Sequence, residues 1–165
     1  MRTIHHIAKV FVVILAITWF GCDSDGGDPP VSDDATQLFV GDWTLTGADD
    51  DSGSRLGDLA NRYNSILAGF TSDTTFTVML DSNNESVPDV NLAGTFSATV
   101  DNPIMNLMTV FNGTPVSLTF AYEFVDATQK EVDFSTTATQ TGVLNLAFGT
   151  DFVGPTTLTF SLIED

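Results

Sequence analysis

Histidine is nearly missing from this 165-residue chain: the two present, His5 and His6, stand side by side near the start. Cysteine occurs once, at Cys22, and five basic residues face 22 acidic ones, a formal net charge of −17. The longest largely apolar run, Val10–Phe20, has eleven positions, well short of the ~20 that a helix needs to span a bilayer. Each scarcity excludes something. One cysteine cannot form a disulfide within the chain. An acidic surplus of this size repels nucleic acid and anionic lipid surfaces, and no basic patch opposes it, so nucleic acid is not an expected partner.

The first thirty residues are organised around that one cysteine. Arg2 and Lys9 give a positive head, the Val10–Phe20 run follows, and the pattern breaks at Gly21-Cys22. A charged head, a short apolar core and a small residue before a break mark a secretory signal peptide. With the cysteine in that place, the stretch resembles the signal of bacterial lipoproteins. The resemblance implies removal of residues 1–21, a diacylglyceryl thioether on Cys22 and acylation of its new amino group. It also implies a place in the cell envelope, on the outer membrane at its periplasmic face or the cell surface. Acyl chains contribute ~0.8 kcal/mol per buried CH₂, so several together make a lasting anchor. The rival reading, an ordinary buried thiol, fits the position of Cys22 less well. Residues 22–37 carry no apolar period and are rich in Asp, Gly and Pro, the composition of a flexible acidic tether. Asp23–Asp28 faintly follows the spacing of a calcium loop, but the later bidentate glutamate is missing, so it reads as a solvated spacer.

Loss of residues 1–21 would remove both histidines. It would leave Arg55, Arg62 and Lys130 against all 22 acidic residues, a net charge of −19. Serine–histidine and cysteine–histidine catalysis and histidine-ligated zinc would then have no residues to run on. Paired carboxylates would remain, but no spacing singles out a pair. The expectation is a protein that is not an enzyme and holds neither metal nor cofactor. Eighteen of the 22 acids are Asp, a turn and loop residue, which places the charge between elements rather than along helix faces.

From Leu38 onward the dominant period is two. Phe76, Val78 and Leu80 share one face. So do Val90, Leu92, Phe96, Ala98 and Val100, and then Val116, Leu118, Phe120, Tyr122 and Phe124, with Leu158, Phe160 and Leu162 closing the series. Such alternation, with threonine-rich outer faces, marks half-buried antiparallel strands. It predicts eight, at 38–47, 74–81, 90–100, 104–111, 116–125, 130–138, 143–149 and 156–163. The fourth is apolar on both faces and its inward row stays open. Asn112-Gly113 is a strong hairpin signal. Between Arg55 and Phe70 the apolar steps of three and four instead predict a helix over 55–69.

Gly41-x-Trp43 heads the first predicted strand, and antiparallel strands follow to the last residues. In this respect the chain resembles the lipocalin-like barrels of the calycin group, and more narrowly the small lipocalin-like lipoproteins of bacteria. The resemblance covers residues 38–165. It implies an all-β fold, a single antiparallel up-and-down barrel of about eight strands with one helix in the first connection. Trp43 would pack across the closed end and Gly41 would let the chain pass closely. The alternation equally allows a two-sheet β-sandwich. The barrel reading implies a small apolar or amphipathic ligand. Leu59, Tyr63 and Ile66 would face down onto the mouth, above a wall including Phe76, Phe96, Phe120, Tyr122 and Phe134. Tyr122, aromatic with a polar tip, is placed to orient such a ligand. The alternative is a filled barrel or sandwich that serves as a structural or protein-interaction domain.

Overall fold

The computed structural model describes residues 34–111 and 113–164. The expected signal, Cys22 and most of the expected tether lie outside the described residues. Along the chain come a 3₁₀ turn Thr36–Phe39, β1 Gly41–Asp50, β2 Gly53–Ser54, α1 Leu56–Ala60, β3 Tyr63–Phe70 and β4 Thr75–Ser82. They are followed by β5 Val90–Ala98, β6 Ile104–Phe111, β7 Thr114–Phe124, β8 Glu131–Ser135, α2 Ala138–Phe148 and β9 Thr157–Leu162.

From β3 to β9 each strand pairs antiparallel with the next, and β1 pairs with both β3 and β9. The sheet therefore closes on itself as an eight-stranded barrel of β1 and β3–β9, with β2 as a short extra strand on the end of β1. The β1–β9 ladder runs from Trp43↔Leu162 to Asp49↔Thr157. That pairing decides against a sandwich, because closure requires it. Closure also removes the exposed edges that an open sheet would present.

The inward rows follow the alternation. Phe76 and Leu80, Leu92 and Phe96, Leu118, Phe120 and Tyr122, and Leu158 and Phe160 are all buried. On β6 the inward row is Met105, Leu107 and Thr109, whereas Met108 and Val110 point outward at 63% and 62% exposure. The barrel is sealed at the end where β1 begins. There Phe39 is fully buried, its ring edge-on to Tyr122 with centroids 4.9 Å apart and stacked on Phe124 at 5.4 Å. Trp43 is 1% exposed, and its indole N–H donates to the Phe39 carbonyl at 2.8 Å. Gly41 lies against Leu162, whose Cδ1 would stand 2.8 Å from an added Cβ. Ala35 and Thr36, inside the expected tether, are buried against the barrel, and Asp34 bridges to Thr99.

Two elements differ from the sequence expectation. The helix expected over 55–69 lasts only Leu56–Ala60, and its second half is the strand β3. Ile66, Ala68 and Phe70 alternate as well as they step, and the barrel needs a strand there between β1 and β4, so tertiary pairing overrides the helical stripe. Conversely, the strand expected at 143–149 is instead the second half of α2 and its capping residue Gly149. Its buried residues are Thr141, Leu144, Ala147 and Phe148, a helical spacing, while Leu146 is 72% exposed. The expected count of eight strands survives because these two differences cancel.

Gly94 tests how tightly the wall is built. A Cβ there would fall 1.9 Å from the backbone oxygen of Met108 on the neighbouring strand. Gly94→Ala should therefore destabilise the protein by about 1–3 kcal/mol or more, read from the denaturant midpoint. Gly57→Ala, in α1 with nothing within 4 Å of its added Cβ, should be neutral or stabilising by up to about 1 kcal/mol.

Candidate functional site

The inward side chains do not fill the barrel. An internal cavity of about 60 Å³ remains, bounded by residues that include Phe76, Leu107, Leu118, Phe120 and Phe134 on the strands. Its roof is α2, which contributes Leu144, Ala147 and Phe148. Thr109 is its one polar lining residue, and that hydroxyl already donates to the Ala93 carbonyl at 2.7 Å. A buried water needs two to four polar partners, so this space is dry and suited to apolar matter.

The roof is an excursion between β8 and β9, not part of the sheet. Its two ends are tied together: Thr136 N–H donates to the Thr156 carbonyl at 2.8 Å, and the hydroxyls of Thr136 and Thr141 stand 3.1 Å apart. The Thr141 hydroxyl also donates to the Gly154 carbonyl at 2.7 Å. All three threonines are buried. The far end of α2 meets the other side of the mouth. There the Tyr63 hydroxyl donates to the Phe148 carbonyl at 2.8 Å, and the Arg62 guanidinium donates to the Gly149 carbonyl. Burial raises the Tyr63 pKa and the neighbouring Arg62 charge partly opposes this, so Tyr63 stays a neutral donor at physiological pH.

Beyond Gly149 the chain returns along the end of β1. Asp50 receives the Val153 N–H at 2.9 Å and one Arg55 nitrogen at 2.8 Å, while its other oxygen takes the Ser52 N–H at 2.8 Å. Arg55 also holds Asp58 at 2.7 Å and pairs with Asp151, its guanidinium 5.7 Å from the Phe152 ring centroid. The Asp50 side chain is fully shielded from solvent, yet its pKa lies at about 2. The Ser52 hydroxyl is the largest cause; desolvation opposes it, and the Val153 and Ser52 N–H groups and Arg55 outweigh that opposition. The same contacts raise the Arg55 pKa, Asp58 most of all.

Bulges aim these groups. β1 carries an irregularity between Leu45 and Gly47, and β3 carries one between Tyr63 and Ser65. A bulge shifts which face each later residue takes, and here the shifts turn Asp50 and Tyr63 toward the mouth. β1 and β3 pair only from Gly41↔Phe70 to Thr44↔Leu67, so the wall is split above. Leu56, Leu59 and Ala60 of α1 plug that split, over a shallow hollow of about 120 Å³.

The expected site residues thus divide into three groups. Phe76, Phe120 and Phe134 line the cavity. Leu59, Tyr63 and Ile66 border the hollow at the wall split, so the mouth is covered by α2 rather than by the 55–69 segment. Phe96 packs edge-on against Phe70 at 5.0 Å, and Tyr122 lies at the sealed end, where its hydroxyl donates to the Thr99 carbonyl at 2.7 Å. That bond takes up the Tyr122 donor, away from the cavity. Sequence reasoning missed Leu144, Ala147 and Phe148, although Thr141, Leu144 and Phe148 keep a helical period that begins before the expected strand.

Among the described residues no group of histidine, cysteine or acidic side chains is arranged to hold a metal ion. No helix among them is long and apolar enough to cross a membrane. Compared with protein-family models and with curated proteins, the chain matches none.

The Asp50 pKa carries a pH dependence with a definite sign. A depressed carboxylate pKa stabilises the fold above its unfolded value near 4, and that contribution is lost as pH falls toward about 2. Asp34, Asp73 and Asp126 are lowered too, by threonine hydroxyls and backbone N–H groups. Denaturant midpoints at pH 7, 4 and 2 should fall most steeply between the last two. Asp50→Asn should lower the midpoint at pH 7 and make that acid step smaller.

Proposed function

We propose that the barrel is a non-catalytic binding protein for a compact apolar molecule, held on a membrane of the cell envelope through lipid on Cys22. The observation that carries the binding reading is a cavity whose one polar lining residue, Thr109, has its hydroxyl already engaged, roofed by a separate helix. A barrel built only to be rigid has no use for either. The anchoring part rests on the Arg2–Cys22 pattern alone. Mass spectrometry of membrane-extracted protein should find a first peptide beginning at Cys22 with three acyl chains. An intact Met1 or an unmodified thiol would remove the anchor from the proposal.

One observation favours the second reading, a filled barrel that serves as a structural or interaction domain. At about 60 Å³ the cavity is smaller than the ~150 Å³ apolar void that accepts benzene. Any ring-sized ligand therefore requires the roof or the wall side chains to move. Benzene titration of the full chain, followed by amide chemical shifts, separates the readings. The carrier reading expects shifts confined to the cavity lining and to α2. Ala147→Phe should fill the space and abolish them. Leu118→Ala should tighten benzene binding while costing about 2–5 kcal/mol of stability. If benzene shifts nothing in the parent or in Leu118→Ala, the filled-barrel reading stands.

A further inference from the structure

We propose that α2 is a latched lid, hinged at the threonine-lined base of its excursion and released at its C-terminal end. Its purpose rests on the binding reading above; its motion does not.

The attachments of α2 differ in kind at its two ends. At the base, a backbone hydrogen bond between Thr136 and Thr156 and the buried Thr136–Thr141–Thr156 hydroxyls join both limbs to the sheet. These groups continue the β8–β9 ladder, which ends at Ser135↔Thr157. At the far end Phe148 and Gly149 are held by side chains that reach across from β3 and its approach, Tyr63 and Arg62. The return limb is held by Asp50, Arg55 and the Asp51 N–H, which donates to the Val153 carbonyl at 3.1 Å. The latch is thus made mostly of individual side-chain contacts, each replaceable by water, on carbonyls where a helix dipole favours a cation.

The helix is not reinforced from within. Thr137 makes no side-chain cap bond at its start, and Gly142 in its middle costs about 1 kcal/mol relative to alanine. On its underside, Phe148 reaches into the cavity from directly beneath the latch. Release of that end lifts a phenyl ring out of the barrel and enlarges the space below it. The other routes are less suited. The opposite end is sealed by Phe39 and Trp43, each at most 1% exposed, and the α1 plug borders a hollow that shares no lining residue with the cavity.

Hydrogen exchange of the full chain, read by mass spectrometry, tests the lid without any ligand. Tyr63→Phe leaves the Phe148 carbonyl without its donor, and Arg62→Gln removes the cation at the helix end. Each should speed exchange over residues 138–150 by roughly five- to tenfold, and the double variant by more. Amides of β4, β5 and β6 should keep their parent rates. Unchanged exchange over 138–150 would overturn the lid, and so would an equal rise in every strand, since α2 would then open only with global unfolding. Benzene association rates should rise in the same order as the exchange rates. If 138–150 responds as expected but benzene binds no variant, the lid stands and the binding reading fails.

Discussion

The arrangement at the mouth depends on one extra residue in β1. Up to Leu45 the inward residues are odd-numbered, Trp43 and Leu45, and each meets β9 in step, at Leu162 and Phe160. Thr46 then has no place in the register, Gly47 pairs with Thr159, and Ala48 takes the inward place opposite Leu158. One strand thereby serves two ends of different character. Below the bulge it delivers an indole to the sealed end, and above it delivers the carboxylate of Asp50 to the mouth. Without the bulge, Asp49 would turn inward and Asp50 would lie on the outer face. Gly47 suits the crowding there, since a Cβ would fall 2.9 Å from the Cβ of Thr159. The irregularity in β3 repeats the device and turns Tyr63 inward opposite Ser82. Both bulges lie where β1 and β3 part company, so the split wall and the re-aimed side chains have one origin.

That origin also explains what was legible in the sequence. A strict period of two reveals a strand wherever the register is unbroken, and β4, β5, β7 and β9 are of this kind. Phe76, Leu92, Phe120 and Phe160 sit on the faces that their spacing assigns. β3 was hidden by its bulge, which puts Tyr63 and Ile66 three apart on the same face and so imitates a helical step. α2 was hidden for the opposite reason: Leu144, Leu146 and Phe148 alternate and mask the helical period of Thr141, Leu144 and Phe148, which the exposure of Leu146 reveals. The sealed end was legible through Gly41 and Trp43. The cavity lining was legible on the strands, at Phe76, Phe120 and Phe134, but not on the roof. Tyr122 shows the limit of composition as a guide. An aromatic with a polar tip in an inward row is equally suited to a ligand or to a backbone carbonyl, and Thr99 supplies the carbonyl. Its height along the barrel depends on the register of strands far apart in sequence.

Charge is the second constraint, and it acts on the same place. Arg55 and Arg62 are two of the three basic residues beyond Lys9, and both face the segment that follows α2. Arg55 uses each of its nitrogens on a different aspartate: Nε on Asp58, Nη1 on Asp50 and Nη2 on Asp151. A lysine ammonium, a single point on a flexible stem, does not offer that planar fork. The cluster still carries one positive charge against three negative ones, so its cohesion comes from directed hydrogen bonds rather than from net attraction. The two outer pairs, to Asp58 and Asp151, reach carboxylates that are 57% and 87% exposed and are weak by the usual measure of surface ion pairs. Asp50 is the exception, shielded from water and ionised because donors from three directions converge on it. The fixed point of the clamp is therefore the β1 carboxylate. The return limb of α2 hangs from it by the Val153 N–H and, through Arg55, by the exposed carboxylate of Asp151. A fold so poor in cations anchors the return limb of its roof at one shielded carboxylate and leaves the pairs to Asp58 and Asp151 at the solvent surface, where water competes for them.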